Sequence, residues 1–523
     1  MDTKLLNKYI AGDVLPEEKK EVARWLKESE EHREQLMQLR HIYDATVWNA
    51  NLKEEKPEKK KTVTHYLRTS IKIAAVVAML AFILHKEYQE YRLEHSTEMQ
   101  VMTVPAGQRA SLVLADGANW WKGERRNFLP RAEKYVNEKS IPQIQELVKK
   151  YDPDILWFDT PSKLPLYLNI RILEAIREVD RENKIVVNGR LVRFGSQNMG
   201  DYRNTGDRSA FFFPTKGAWE SIPTTNESYG YSRVDTVRKS VPFFVQLLAS
   251  AASKGGNILM NVGPMGNGQW DSKDIEVFQG VGKWLKVNGE SIYGTRRTNL
   301  PIQPWGVTTL KGDTLYVHVY RWPADSKLII GGLRSDIRKG WFLADKKASV
   351  QFKRLSTDDY ELTVPAKAPD SINSVIALVL GKQKLPNPIR LLDAGTNVLY
   401  TFDAELQGRG LGYGDGKPNR NYVKNWKNES QSMKWRLRLN EPAEYTLYLD
   451  YNTAGKDDKG TVIVEINGKI FEANYPPYHE RKGSSSIRIG KISLPEGAFE
   501  CNLKGKQYQG NQYMNPIAVR LEK

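Results

Sequence analysis

The sequence has few of the residues that build covalent links and metal sites. Its 523 residues include a single cysteine, Cys501, which excludes an internal disulfide and any cysteine-cluster metal site. We expect this thiol to be packed inside the protein. None of the seven histidines lies between His95 and His318. The composition therefore gives no basis for a redox function.

Charge of one sign does not dominate the chain as a whole. The 78 basic and 62 acidic residues give a net charge of +16, but the two signs are interspersed. Nucleic-acid binding is not predicted, because no basic stripe accompanies a recognisable nucleic-acid module. The 40% hydrophobic content, with 13 Trp and 25 Tyr, excludes a mainly disordered chain and predicts three or four domains.

Long hydrophobic runs are also scarce, and the main one spans residues 73–84. A Lys-rich linker over 51–68 precedes it and an acidic segment follows it. This asymmetry predicts a single transmembrane helix over 69–85 in the inner membrane, with the N-terminus cytoplasmic and the C-terminal domains periplasmic. A buried core helix is the alternative, because a membrane span needs roughly 20 apolar residues.

The first fifty residues place apolar side chains at helical spacings among charges, which predicts a small helical module over 1–50. Two short β segments over 86–118 include "TVPAGQRASLVLADG". This order of helical module, basic linker, span and β segment resembles the FecR-type anti-sigma regulators. The resemblance covers residues 1–118 and implies a truncated FecR-like β segment and a sigma factor as partner.

A different pattern begins at Asn119. Short apolar strands over 154–159, 184–190 and 257–264 alternate with amphipathic helices. Such alternation predicts a parallel sheet covered by helices, with polar residues at the carboxyl ends of the strands. Because only four or five units are present, we predict a partial (β/α) barrel over 119–299.

Two carboxylates follow strands of this predicted barrel, Asp159 and Glu220. Glycoside hydrolysis uses such a pair, one as the nucleophile and one as the general acid and base. Spacing alone leaves alternatives open: Asp159 as a helix-cap or turn residue, and Glu220 as a half-exposed residue without a role in chemistry.

Five segments of this region resemble, in order, the second half of the family 29 glycoside hydrolases, the retaining α-L-fucosidases. The match covers about residues 120–300, and its segments are "PDILWFDTP", "VVNGR", "GAWESIPTTNESYGY", "GGNILMNVGPMGNG" and "FQGVGKWLKVNGESIYGT". The resemblance implies hydrolysis of terminal α-L-fucose on glycoconjugates, with fucosylated glycans as partners and no metal or organic cofactor.

The resemblance also implies roles for single residues. Asp159 matches the nucleophile, Glu220 the acid/base, Trp157 a residue lining the fucose pocket and Arg190 a residue contacting the sugar. We expect Trp219 to border the substrate and, with partial burial, to raise the pKa of Glu220. Three other carboxylates compete for the acid/base role: Asp201, Asp207 and Glu227.

In that family, the first half of the barrel supplies histidines that contact the sugar. This chain has no histidine between His95 and His318. An inactive partial barrel is therefore an open alternative, as is a membrane-anchored anti-sigma regulator or a glycan-binding protein without catalysis. We predict a junction between two proteins near Asn119. Gene fusion and an error of sequence assembly are both open as its origin.

Alternating apolar and polar residues predict antiparallel β-sandwiches after the barrel. The first spans 300–382, a linker spans 383–391 and the second sandwich spans 392–523. The second is a candidate carbohydrate-binding domain, because we expect loop aromatics to stack on sugar faces. These aromatics are Trp426, Tyr475 and Tyr478. The predicted fold class is thus multidomain: a helical module, a single membrane helix, a partial (β/α) barrel and two β-sandwiches.

Overall fold

A computed structural model describes residues 125–159, 164–194, 197–393, 395–480 and 483–523, and a few isolated positions before residue 33. The chain divides into two units, Met1–Pro105 and Ala106–Lys523. In the first, Leu6, Val22 and Trp25 form a small buried cluster. Most of the predicted helical module, and all of the linker, the membrane span and the β segment over 86–118, lie outside the described residues.

No helix among the described residues is both long and apolar enough to cross a membrane. Helices and short strands alternate from residue 125 to residue 291. The helices are α1 (Arg125–Tyr135), a π-helix (Val136–Ser140), α2 (Ile141–Tyr151), α3 (Leu166–Val179), α4 (Val241–Ser253), α5 (Ser272–Asn288) and a 3-10 turn (Gly289–Ser291). Helix α4 is capped by Ser240, whose side chain accepts a hydrogen bond from Phe243 N. Helix α5 is capped by Asp271, whose side chain accepts from Lys273 N.

The strands of this region are short. They are β1 (Ile155–Leu156), β2 (Val186–Val187), β3 (Arg193–Phe194), β4 (Gln197–Asn198), β5 (Arg203–Asp207), β6 (Trp219–Ile222) and β7 (Gly256–Ile258). Strand β1 pairs parallel with β2, and β5, β6 and β7 form a second parallel set. A parallel bridge between Asn188 and Tyr202 connects the two sets. The carboxyl ends of these strands therefore lie along one edge.

The predicted strands over 154–159 and 184–190 are longer than the observed ladder, which pairs only Ile155 with Val186 and Leu156 with Val187. The chain leaves the ladder before Asp159 and before Arg190. Both side chains are thus carried by the loops that follow the strands. Helix α3 covers this sheet by burying Leu168, Ile172 and Ile176 in a cluster with Val187.

Residues 300–382, predicted as the first sandwich, hold most of two sheets. A six-stranded sheet has the order β13-β12-β16-β10-β9-β8, and a three-stranded sheet has the order β11-β15-β14. The strands are β8 (Arg296–Arg297), β9 (Gly306–Lys311), β10 (Thr314–Val319), β11 (Lys327–Gly331), β12 (Ile337–Phe342), β13 (Asp345–Ser349), β14 (Gln351–Arg354), β15 (Asp359–Thr363) and β16 (Ser374–Leu380). Buried aliphatic residues such as Val317, Ile330 and Leu378 form the core.

The C-terminal region, predicted as the second sandwich, has longer strands. One sheet has the order β17-β22-β27-β24-β25 with β19 paired to β22, and the other has the order β18-β28-β23-β26. The strands are β17 (Arg390–Leu391), β18 (Asn397–Tyr400), β19 (Glu405–Gln407), β20 (Gly412–Tyr413), β21 (Val423–Lys424), β22 (Ser432–Leu439), β23 (Ala443–Asn452), β24 (Lys459–Ile466), β25 (Lys469–Tyr475), β26 (Ser485–Leu494), β27 (Gly497–Gln509) and β28 (Asn515–Glu522), with a 3-10 turn at Thr401–Asp403. Cys501 lies fully buried on β27, as expected for a packed thiol, and burial raises its pKa to about 12.

Two of the aromatics expected to be exposed on this sandwich are buried. Trp426 is 0% exposed and Tyr475 is 2% exposed. The Trp426 indole donates to Gln431 O at 3.0 Å, and the Tyr475 hydroxyl accepts from Met514 N at 3.2 Å. The prediction that these two rings stack on sugars is wrong, because they pack in the core. Tyr478 is half-buried, and its hydroxyl donates to Glu480 at 3.2 Å.

Candidate active site

An arginine gathers two aspartates at the carboxyl edge of the parallel strands. Arg190 Nη1 donates to Asp159 Oδ1 at 2.9 Å, and Nη2 donates to Asp207 Oδ1 at 2.6 Å. Nη2 also reaches Thr205 O at 3.3 Å. The Arg190 side chain is only 17% exposed, whereas those of Asp159 and Asp207 are 52% and 53% exposed. The guanidinium is thus enclosed while both carboxylates remain open to solvent.

Trp157 connects this arginine to the second predicted carboxylate. Its indole nitrogen donates to Glu220 Oε1 at 2.8 Å. The Arg190 guanidinium carbon lies 5.6 Å from the centre of the Trp157 ring, within the range of a cation–π contact. The structure therefore brings together Asp159, Arg190, Trp157 and Glu220.

Glu220 lies on β6 and accepts hydrogen bonds from the neighbouring strand region. Asn204 Nδ2 donates to Oε1 at 2.8 Å, and the Tyr202 hydroxyl is 3.5 Å from Oε2. Burial raises the pKa of Glu220, and this outweighs the hydrogen bonds and the Arg190 charge that lower it. A carboxyl with a raised pKa is suited to donate a proton near neutral pH.

Trp219 does not join this group. Its side chain is 2% exposed, packs against Phe212 with ring centres 4.9 Å apart, and donates to Lys254 O at 3.3 Å. Neighbouring residues of a strand point to opposite faces, so Trp219 points into the core when Glu220 points to the site. The expectation that Trp219 borders the substrate disagrees with this placement, and the indole that contacts Glu220 is that of Trp157.

Two of the three competing carboxylates are held by other partners. Asp201 accepts from Val187 N and Arg177, both at 2.7 Å. Glu227 pairs with Arg208 at 2.8 Å and with Lys239 at 3.1 Å. Asp207, in contrast, belongs to the site through Arg190.

Sequence reasoning missed Asn204 and Tyr202 and the contact of Asp207 with Arg190. Strand β5 has the sequence RNTGD, in which no residue is apolar, so hydrophobic patterning could not reveal it. The only available signal was its position between the predicted strand at 184–190 and the "AWES" segment. Within the described ranges, no three His, Cys, Asp or Glu side chains cluster as metal ligands would.

A sequence model of the family described as "Alpha-L-fucosidase" matches residues 23–290, just over half of the 523-residue chain. The chain belongs to the alpha-L-fucosidase family. The match begins well before Asn119, where we expected the resemblance to begin, so the family domain lies nearer the N-terminus than predicted. Because the match crosses most of residues 1–118, neither the FecR-type resemblance, with its sigma-factor partner, nor a junction at Asn119 has support from the comparisons.

Curated relatives agree with this family assignment. The chain is 31% identical over 233 residues to an alpha-L-fucosidase of Branchiostoma floridae, covering 43% of this chain and 50% of the relative. It is 31% identical over 212 residues to the plasma alpha-L-fucosidase of Rattus norvegicus, covering 38% and 46%. The chain thus spans about half the length of the curated fucosidases it matches.

A solved fucosidase structure shares the fold. The alpha-L-fucosidase from Vibrio sp. strain EJY3 matches with a TM-score of 0.60 at 22% identity, covering 76% of this chain and 72% of the other. The described part of the chain is therefore a multidomain fucosidase-like fold, rich in β-sheets and with few helices.

Proposed function

We propose that this chain is a retaining glycoside hydrolase that removes terminal α-L-fucose from glycoconjugates. The observation that carries the proposal is the network Asp159–Arg190–Trp157–Glu220, which gathers two carboxylates at the edge of the parallel strands. Their environments differ: the Asp159 side chain is half exposed beside a cation, and burial raises the pKa of Glu220. Unequal environments are what separate a nucleophile from a proton donor.

In the first step, a carboxylate oxygen of Asp159 forms a bond to the anomeric carbon of fucose while the glycosidic C–O bond breaks. The electron pair of that bond leaves with the oxygen, which takes the proton of Glu220. In the second step, Glu220 accepts a proton from water, and the water oxygen replaces Asp159 at the anomeric carbon. Retention requires the two carboxyl groups to be about 5 to 5.5 Å apart.

The neighbouring side chains have supporting roles in this proposal. The donors Trp157 and Asn204 fix the orientation of Glu220 through hydrogen bonds of 2.8 Å each. The Trp157 side chain is 38% exposed, so part of its ring can pack against an apolar face of the sugar. Arg190 holds Asp159 in place and balances its charge.

Binding of fucosylated glycans without turnover is the second candidate. It is favoured by the 2.9 Å ion pair, because Arg190 occupies one oxygen of the nucleophile Asp159. It is also favoured by the absence of histidine between His95 and His318 in the sequence.

Hydrolysis of an aryl α-L-fucoside by the purified full-length chain tests the proposal. We expect release of the phenol, and α-L-fucose as the first sugar product in a proton NMR time course. The matching aryl β-D-galactoside serves as the control and is expected to stay intact. First formation of β-L-fucose would exclude retention. Absence of hydrolysis together with calorimetric binding of L-fucose would favour the second candidate.

A further inference from the structure

The chain bends sharply where Asp207 meets Arg190. Arg208 has φ +58, a left-handed conformation that is unfavourable for a residue with a Cβ. Such a conformation persists only when surrounding contacts fix it. The bend places Thr205 O and Asp207 Oδ1 on the same guanidinium nitrogen of Arg190, at 3.3 and 2.6 Å. The contacts that fix this bend therefore bear on the site.

One set of contacts comes from the same region of the chain. The Tyr229 hydroxyl accepts from Arg208 N at 2.8 Å and donates to Ile222 O at 2.7 Å. Arg208 Nη1 donates to Glu227 Oε2 at 2.8 Å. These contacts fix only one side of the bend.

The other side meets the C-terminal sandwich, at the β20–β21 hairpin (residues 412–424). The Ser209 hydroxyl is 2.9 Å from Gly206 O and 2.5 Å from Asp415 O, so it joins the bend to the hairpin. Ala210 N and Phe211 N both donate to Gly416 O, at 2.8 and 2.9 Å. The two segments are thus joined through their backbones.

Close packing accompanies these hydrogen bonds. A Cβ added to Gly206 would lie 3.1 Å from the Asp415 Cβ, so the hairpin packs against the residue between Thr205 and Asp207, the two acceptors of Arg190 Nη2. The rings of Phe213 and Tyr413 stack with centres 4.8 Å apart and planes 4° from parallel. Ser209 itself is 1% exposed, so no solvent replaces the contact.

We propose that the β20–β21 hairpin is a positioning element of the active site: it holds the bend at 206–213, which sets Asp207 against Arg190 and thereby orients Asp159. The catalytic part of this inference rests on the proposed function, whereas its geometric part does not. The hairpin residues act through the bend. They are positioning residues, because the contacts described above join the hairpin to residues 206–213.

Two glycine variants of the full chain separate this contact from simple backbone strain. Gly416 has φ +77, and a Cβ there would lie 2.2 Å from Phe211 O. Gly410 has φ +91, and its nearest neighbour would be 3.5 Å away, at Gln431 Nε2. Gly416→Ala therefore adds strain and breaks the contact with the bend, while Gly410→Ala adds the strain alone.

The first readout is geometric. In crystal structures we expect Gly416→Ala to separate Arg190 Nη2 from Asp207 Oδ1 beyond about 3.5 Å, the limit of a hydrogen bond. We also expect faster hydrogen–deuterium exchange in the peptide over 203–213. Gly410→Ala should keep the Arg190–Asp207 distance and the exchange rate of the parent chain. An intact Arg190–Asp207 contact with unchanged exchange in Gly416→Ala would overturn the proposal.

The second readout is kinetic. A displaced catalytic group lowers turnover by a factor on the order of ten to a hundred, and we expect this loss in kcat with little change in KM. The Arg190 charge lowers the pKa of Glu220, so displacement of Arg190 should also move the alkaline limb of the pH profile to higher pH. Loss of stability alone would not move that limb.

Ser209→Ala serves if Gly416→Ala fails to fold, because it removes only the shared hydroxyl. In Ser209→Ala we expect the Arg190–Asp207 distance and the exchange over 203–213 to increase as well, but by less. If neither changes in this variant, the proposal is overturned. If the parent chain hydrolyses no fucoside, the proposed function fails, but the distances and exchange rates still decide whether the hairpin holds Arg190.

Discussion

Two arginine–aspartate networks in the described residues have similar ion pairs but differ in the solvent exposure of their carboxylates. In the parallel-strand region, Arg190 holds Asp159 and Asp207, whose side chains are 52% and 53% exposed. Between the two sandwiches, Arg438 of β22 holds Asp359 of β15, which is 0% exposed. Asp159 and Asp207 are thus accessible to a ligand, whereas Asp359 is enclosed by protein.

The carboxylate of the enclosed pair accepts several hydrogen bonds. Asp359 accepts from both terminal nitrogens of Arg438, from Asn440 Nδ2 at 2.9 Å and from Gly332 N at 3.2 Å. A buried pair of this kind contributes little when it is compared with apolar packing, but loss of one partner leaves a buried charge. The two networks should therefore respond to mutation in opposite ways.

The largest effect is expected at the exposed network. Asp159→Asn should lower kcat by a factor on the order of 1,000 or more, because the variant lacks the proposed nucleophile. Its unfolding temperature should stay within a few degrees of the parent. Steady-state kinetics and calorimetry measure both, with the exposed Asp154→Asn as the matched control. A variant that keeps a tenth of the parent turnover would exclude Asp159 as the nucleophile.

The enclosed network should give the reverse result. Asp359→Asn should lower the free energy of unfolding by about 3 to 5 kcal/mol, because Arg438 loses its buried counter-charge. Turnover per folded molecule should change little. The control Asp336→Asn removes a carboxylate that is 60% exposed and should lower the free energy of unfolding far less. Urea unfolding measures both values, and equal losses would contradict the comparison.

Asp359→Asn should also change how the free energy of unfolding depends on pH in acid. Burial raises the pKa of Asp359, but the hydrogen bonds from Arg438 and Asn440 outweigh it and hold the pKa below its ordinary 3.8. A lowered carboxyl pKa stabilises the fold above the ordinary value, and this stabilisation is lost as pH falls through the folded pKa. The parent should thus lose stability below about pH 4 through this group, and Asp359→Asn should lack that contribution.

A smaller effect is expected at His318, a buried histidine whose neutral form is favoured in the fold. His318 is 0% exposed on β10, and burial lowers its pKa to about 4 from 6.5. The fold favours the neutral imidazole. The contribution of His318 to stability is therefore fully present above pH 6.5, and the free energy of unfolding falls by about 3 kcal/mol as pH drops toward 4. His318→Gln should remove this slope, and the exposed His479→Gln should retain it. Unfolding curves between these pH values test the prediction, and an unchanged slope in His318→Gln would refute it.

The smallest effect is expected at Trp157. Trp157→Phe removes the indole donor that lowers the pKa of Glu220, so that pKa should rise further. A proton donor with a higher pKa stays protonated to higher pH, and the alkaline limb of kcat/KM should move in that direction. The control is Trp270→Phe, which replaces another part-exposed indole that packs against Phe278. A limb that moves toward lower pH would contradict the role of the indole hydrogen bond.

Local sequence predicted the centre of the site better than its surroundings. The strand pattern singled out Asp159 and Glu220, the family resemblance added Trp157 and Arg190, and the structure brings these four side chains together. Strand β5 escaped prediction because its residues are polar, although it supplies Asn204 and Asp207. Polar strands become visible only through the partners they meet in three dimensions.

Composition also could not tell which aromatic rings are exposed. Trp157 and Trp219 both follow apolar or glycine-rich segments, but one is 38% exposed at the site and the other is 2% exposed in the core. Trp426 and Tyr475 were expected on loops and are buried for the same reason: a ring packs wherever the fold leaves an apolar space. The contact of the β20–β21 hairpin with the bend joins residues about 200 positions apart, such as Ser209 and Asp415. Local patterns carry no information about such pairs.

Capture of the covalent intermediate tests the central claim most directly. A 2-deoxy-2-fluoro-L-fucosyl fluoride slows both chemical steps, but its good leaving group allows the first, so the sugar should remain on the nucleophile. Peptide mass spectrometry should find one fluorofucosyl group on Asp159, and none on the Asp159→Asn protein. A label on Glu220 or another residue, or an unlabelled protein that still hydrolyses the aryl fucoside, would contradict the account.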